Sequence, residues 1–231
     1  MSSQQTKSYK YLIYFVTAFI SCYLTQEILL TRLISVGWGY ITGGTFVYFT
    51  SPLIIDVVAE VYGYKVARQI LWCGLFATLF MALCIAILIR VPYPAFWSNV
   101  ITAYNTALGS IPRVAIVSSI TILIGQLINA YLISKWKILM RGRYFWLRSL
   151  SSSIIGDSVT VTLSIIGIFS GQFTVSMLTA NIVPELIVMV LFTSIGAIPA
   201  AFLAKMVAKA EGLNNYDVGV NFNPFRLKEE N

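Results

Sequence analysis

Apolar residues run in six long stretches, separated by short clusters of glycine, proline and charge. That pattern predicts six membrane-spanning helices. The stretches cover residues 11–30, 40–61, 66–89, 114–134, 153–169 and 183–207. Each is close to the ~20 residues that a helix needs to cross the hydrocarbon core. The third is the purest, whereas the second and fifth carry carboxylates. Of the connections, 31–39 holds Gly37 and Gly39, and 90–112 holds Pro92, Pro94, Trp97 and Pro112. The latter suits an interfacial loop with an aromatic belt. Connection 135–152 is basic, and 170–182 is short, with Gly171. The expected fold is an all-α integral membrane protein in which residues 1–231 form one six-helix domain. Residues 1–10 form a short polar start and residues 209–231 a polar tail.

Composition agrees with that pattern. Charged residues are 11% of the chain and hydrophobic residues 58%, where soluble domains carry about 25% charge. A water-soluble domain and a disordered chain are both excluded. The net charge of +7 would suggest nucleic acid in a soluble protein. In a membrane protein it reads as basic loops that orient helices and touch anionic lipid. Of the sixteen basic residues, only Arg32, Arg90 and Arg113 fall on one side of the six-span layout. The rest lie in the N-terminus, the second and fourth loops and the tail. Both termini are therefore expected in the cytoplasm.

Catalytic chemistry has little to work with. The chain has no histidine, and it shows no phosphate-binding glycine loop. Cys22, Cys73 and Cys84 lie in apolar runs without metal or disulfide spacing, and read as small core residues. No catalytic residue, metal or cofactor is expected.

Polar residues inside the apolar runs stand out, because a charge at mid-bilayer costs at least ~2.5–3.5 kcal/mol. Asp56 and Glu60 are four apart and share a helix face. They read either as a ligand-facing pair or as an ion-pair cluster with Lys65, Arg68 or Arg148. Asp157 follows Ser151, Ser152 and Ser153, which suits a water-filled cavity or tight interhelical contacts. Gln126 and Asn129 share a face of the fourth span, and could read a polar ligand or bond a neighbouring helix. Glu27 is either a proton site or a boundary residue near Arg32. Glu185 follows Pro184 at the expected start of the sixth span, where the helix dipole would favour it.

Three segments resemble the queuosine precursor transporter family, also called the vitamin uptake transporter family. Residues 56–68, DVVAEVYGYKVAR, are similar to its D-x-x-x-E-V-Y-G-x-x-x-A-R signature. Residues 141–171, RGRYFWLRSLSSSIIGDSVTVTLSIIGIFSG, resemble its basic loop, W-L-R, serine-rich stretch and acidic or amide position. The tail at 211–225 resembles its C-terminal pattern. Thr160 departs from it, standing where the family usually has aspartate. The resemblance implies six helices similar to the substrate-binding subunits of energy-coupling-factor transporters. It implies uptake of a 7-deazaguanine such as preQ0 or preQ1. Asp56 and Glu60 would face the ligand, with Arg68 and Arg148 orienting them, and Asp157, Ser152, Gln126 and Asn129 would line the cavity. A separate ATPase module, a homo-oligomer, a different vitamin-like solute and a non-transporting scaffold stay open at this point.

Overall fold

A computed structural model describes residues 9–213. Six helices in it are long and apolar enough to cross a membrane. They are α1 (Leu12–Leu29), α2 with α3 (Thr45–Tyr48 and Thr50–Tyr62), α4 (Tyr64–Leu88), α6 (Ile111–Leu139), α7 (Phe145–Phe169) and α8 (Val175–Glu211). The chain is thus an all-α, multi-pass membrane protein. Lys7, most of the 209–231 tail and its basic Arg226 and Lys228 lie outside the described residues.

The helices present apolar side chains in two directions. Phe19, Ile55, Val58, Tyr62 and Ala67 pack inward between α1, α3 and α4. Phe76, Phe80, Ile195, Ile198 and Phe202 face outward and are more than half exposed. Such a surface fits lipid and not water. Cys73 belongs to this outer surface, contrary to its expected core position.

Helices α6 and α7 make the most extensive contact in the bundle. Gly125 and Gly156 face each other there. A Cβ on Gly125 would stand 2.4 Å from the Gly156 carbonyl oxygen, and one on Gly156 would stand 2.4 Å from that of Gly125. The backbones meet because neither residue has a side chain, which is how membrane helices gain close packing. This crossing brings the polar residues of α6 and α7 against one another.

Several boundaries differ from the apolar pattern. Residues 40–42 do not open the second span but form β2 (Tyr40–Thr42), antiparallel to β1 (Leu33–Ser35). Ile34 pairs with Ile41, and the Gly43–Gly44 pair separates this hairpin from α2. Helix α7 starts eight residues before the expected Ser153, and α8 starts eight before the expected Val183. A buried Arg148 and buried serines depress apolarity at the start of α7, yet the bundle interior accommodates them. Residues 90–112 hold a helix, α5 (Ser98–Leu108), with no buried residue, and Pro112 sits in the first turn of α6.

Candidate functional site

Charged and amide side chains form a track along the bundle axis, from the end carrying the basic loops to the end carrying the hairpin. Four clusters make it up.

Glu60 lies nearest the basic loops, two residues before the end of α3. Arg148 from α7 binds it through both arms, Nη1 to Oε2 at 3.1 Å and Nη2 to Oε1 at 3.2 Å. The guanidinium also donates to the Arg143 and Ile133 carbonyls at 3.1 and 3.2 Å. Lys137 adds its charge, with Nζ 2.6 Å from the Glu60 carbonyl and 3.6 Å from Oε1. Arg148 is wholly buried, so its charge depends on this pairing. Arg68, on α4, is also buried, and its guanidinium lies 5.5 Å from the centre of the Tyr64 ring.

One turn deeper, Asp56 is 0% exposed. Asn129 Nδ2 donates to its Oδ1 at 2.7 Å. Ser153 Oγ donates to Oδ2 at 3.2 Å, and Ser149 Oγ makes a short bond to the same oxygen. Three helices therefore meet on one carboxylate. Ser152 is buried beside them, but its hydroxyl turns back to the Ser149 carbonyl at 3.2 Å.

Asp157, also 0% exposed, stands at mid-bundle. Its Oδ1 accepts from Tyr48 Oη at 2.9 Å and Gln126 Nε2 at 3.0 Å. Its Oδ2 and the Gln126 Oε1 meet no partner among the described residues. Two acceptors buried without donors are unusual in a native interior.

The fourth cluster lies toward the hairpin. Glu185 Oε1 accepts from Thr42 Oγ1 at 2.9 Å and, in a short bond, from Thr45 Oγ1. Its Oε2 accepts from the Thr42 backbone N–H at 3.1 Å. Because α8 begins at Val175, Glu185 sits in the third turn. The helix dipole therefore does not explain it, and its role comes from the hairpin. Glu27 is fully buried two residues before the end of α1, and Ser118 Oγ lies 2.7 Å from both its oxygens.

A cavity of about 450 Å³, counting the space at its mouth, lies between these last two clusters. Gln26, Tyr48, Thr160, Ser164 and Glu185 give it polar groups, and Ile122, Ile165 and Phe169 are among its apolar walls. That mixture suits a small organic molecule, for which the enclosed part of the cavity must widen. Tyr48 forms the floor, since its ring lines the cavity and its hydroxyl holds Asp157 behind it. Thr160, the position that departs from the family pattern, is a cavity wall, and its hydroxyl donates to the Gly156 carbonyl at 3.1 Å. A second recess opens at the basic end, lined in part by Glu60, Lys137, Arg143 and Lys205.

Of the residues singled out in the sequence, Asp157 and Gln126 lie directly behind the cavity, while Asp56, Asn129, Glu60 and Arg148 form the layers between the two recesses. Gln26, Tyr48, Thr42 and Thr45 line the cavity and were not singled out as site residues. Tyr48 is one of 13 tyrosines, and nothing in the sequence distinguishes it before the fold places it on Asp157.

No curated protein and no solved structure matches the chain. The model of a family described as "putative vitamin uptake transporter" matches residues 42–199, from the end of the hairpin to the middle of α8. That segment holds Asp56, Glu60, Gln126, Arg148, Asp157 and Glu185, and covers well over half of the chain, so the protein belongs to this family of vitamin uptake transporters.

Proposed function

We propose that this protein imports a 7-deazaguanine-type base, preQ0 or preQ1, across the bacterial inner membrane, with both termini in the cytoplasm. The observation that carries the reading is the open pair Asp157 Oδ2 and Gln126 Oε1 behind the cavity floor. Unused buried acceptors are expensive unless something with donors visits them. A guanine-like base carries adjacent ring N–H and amino donors, and a carboxylate can accept both.

The layout supports alternating access. The solute enters the cavity from the hairpin end and rests on Tyr48. Rotation of Tyr48 off Asp157 exposes the open acceptors. Below them, the Asp56 and Glu60 clusters seal the route to the basic-end recess, with the buried Arg148 paired to Glu60 at that seal. Transport then requires that seal to part while the hairpin end closes. Glu27 is close enough to the cavity wall, as the neighbour of Gln26, to serve as a proton site in the same cycle.

Thermal melting of the purified protein tests the substrate class. A ligand at ~100 times its dissociation constant adds ~2.7 kcal/mol. The expected result is a shift with preQ0, preQ1 or both, and none with adenine, riboflavin or thiamine. A shift with one of those vitamins alone would replace the substrate. Silence throughout, followed by co-purification of an ATPase module, would make the chain a binding subunit that works only in complex.

A further inference from the structure

Gln26 is the least explained polar residue in the bundle. It is 1% exposed, it lines the cavity, and neither its Nε2 nor its Oε1 has a hydrogen-bond partner among the described residues. The carboxylate of Glu27 stands beside it, outside hydrogen-bond geometry. An amide with both ends unused carries the full desolvation penalty of two polar groups. Its donor and its acceptor are aligned for a molecule that offers an acceptor and a donor side by side.

Glu185 shares the same cavity and is 6% exposed. Its carboxylate has about four acceptor sites, and Thr42 and Thr45 supply three donors. At least one site is left for a ligand. The two residues are brought together by the turn between hairpin and α2. A Cβ on Gly44 would stand 2.8 Å from the Gln26 carbonyl oxygen, and the next residue, Thr45, bonds Glu185. The absence of a side chain at Gly44 is what lets this turn lie against α1. Tyr40 is held nearby through its carbonyl by Asn181, one turn before Glu185 on α8.

We propose that Gln26 and Glu185 together read the edge of a cyclic amide flanked by an exocyclic amine. Gln26 Nε2 donates to the ring carbonyl, Gln26 Oε1 accepts from the ring N–H, and Glu185 accepts from the exocyclic amine. The apolar walls, including Ile165 and Phe169, cover the faces of a flat ring. This edge is the amino and cyclic-amide edge of a guanine-type base. Gln26 and Glu185 hold it while the solute rests on Tyr48, before the same donors pass to Asp157 and Gln126, so the inference rests on the transport reading and adds its selectivity. Glu185 becomes the residue that distinguishes a base with the amine from one without it. The sequence did not point there, because both residues look like ordinary helix-end polar groups until the hairpin folds over them.

Binding to 7-deazaguanine and to 7-deazahypoxanthine, which lacks the amine, is measured by calorimetry on wild type, Glu185→Gln and Gln26→Leu. Wild type is expected to prefer 7-deazaguanine by ~10-fold or more, the size of a hydrogen bond to a charged group. Glu185→Gln is expected to bring that ratio close to one. Gln26→Leu is expected to weaken both ligands by ~10-fold or more. A melt without ligand gives an independent reading. Replacing an unpartnered amide by a side chain of similar size removes its penalty, so Gln26→Leu should raise the melting temperature by about 2–4 °C.

The outcomes separate the two readings. If 7-deazaguanine binds wild type and both variants equally, the site falls and the transport proposal stands. If a different vitamin binds and both variants weaken it, the cavity stands as the site, but the recognised edge is overturned together with the substrate. If none of these ligands binds folded wild type, the recognised edge is overturned together with the substrate. A lower melting temperature for Gln26→Leu makes the amide structural and overturns the site as well.

Discussion

Asp56 and Asp157 stand on facing helices, both are wholly buried, and each is bonded by an amide from α6. Yet Asp56 has donors on both oxygens, while one oxygen of Asp157 has none. The same contrast separates the carboxylates and amides of the two halves, although the buried Ser134 hydroxyl toward the basic loops is also without a partner. Toward the basic loops, polar groups are closed on one another through Glu60, Arg148 and Lys137. Toward the hairpin, Gln26, Gln126 and Asp157 keep unused atoms around a cavity. Residue type does not distinguish the two aspartates; the count of satisfied hydrogen bonds does.

Substitutions that break the closed half should act on stability. Arg148→Ala leaves Glu60 without its bidentate partner, which is expected to cost about 3–5 kcal/mol. A melting temperature within a degree of wild type would show that the pair does not hold the seal. A matched pair then sharpens the contrast. Asp56→Asn is expected to cost about 1–3 kcal/mol, because serine and asparagine donors lose acceptors. Asp157→Asn is expected to cost under about 1 kcal/mol, since the oxygen it replaces is unbonded, and to slow uptake. Equal melting losses would erase the distinction between the two aspartates.

Tyr48→Phe removes one of two donors to Asp157 and is expected to change stability by only about 1 kcal/mol. Uptake should nevertheless fall severalfold if Tyr48 is the cavity floor, which initial rates will show. The smallest effect belongs to the lipid face. Phe80, 69% exposed, points outward. Phe80→Leu should leave the melt and the rate within error, as surface changes stay within about 0.5 kcal/mol.

Much of this architecture was legible in the chain. Long apolar runs specify membrane helices strongly, because lipid leaves no other way to satisfy the backbone. Asp56, Glu60, Gln126 and Asp157 stood out by their cost in an apolar environment. The hairpin did not, since Tyr40, Ile41 and Thr42 extend an apolar run, and only their pairing with 33–35 makes them strand. The start of α7 was hidden for the opposite reason, because Arg148 and Ser149 there find their partners only when α6 and α3 arrive. Glu185 was legible as a residue but not as a role. Its threonine partners lie 140 and 143 positions away in the chain.

The central claim is that the open half carries a deazaguanine inward. Uptake of labelled preQ1 into liposomes holding this chain alone measures it most directly. The proposed mechanism predicts saturable uptake that competes with unlabelled preQ0 and falls at least ~10-fold in Asp157→Asn, the loss of one hydrogen bond to a charged group. Uptake by Asp157→Asn at the wild-type rate, or none by folded wild-type protein, would contradict it.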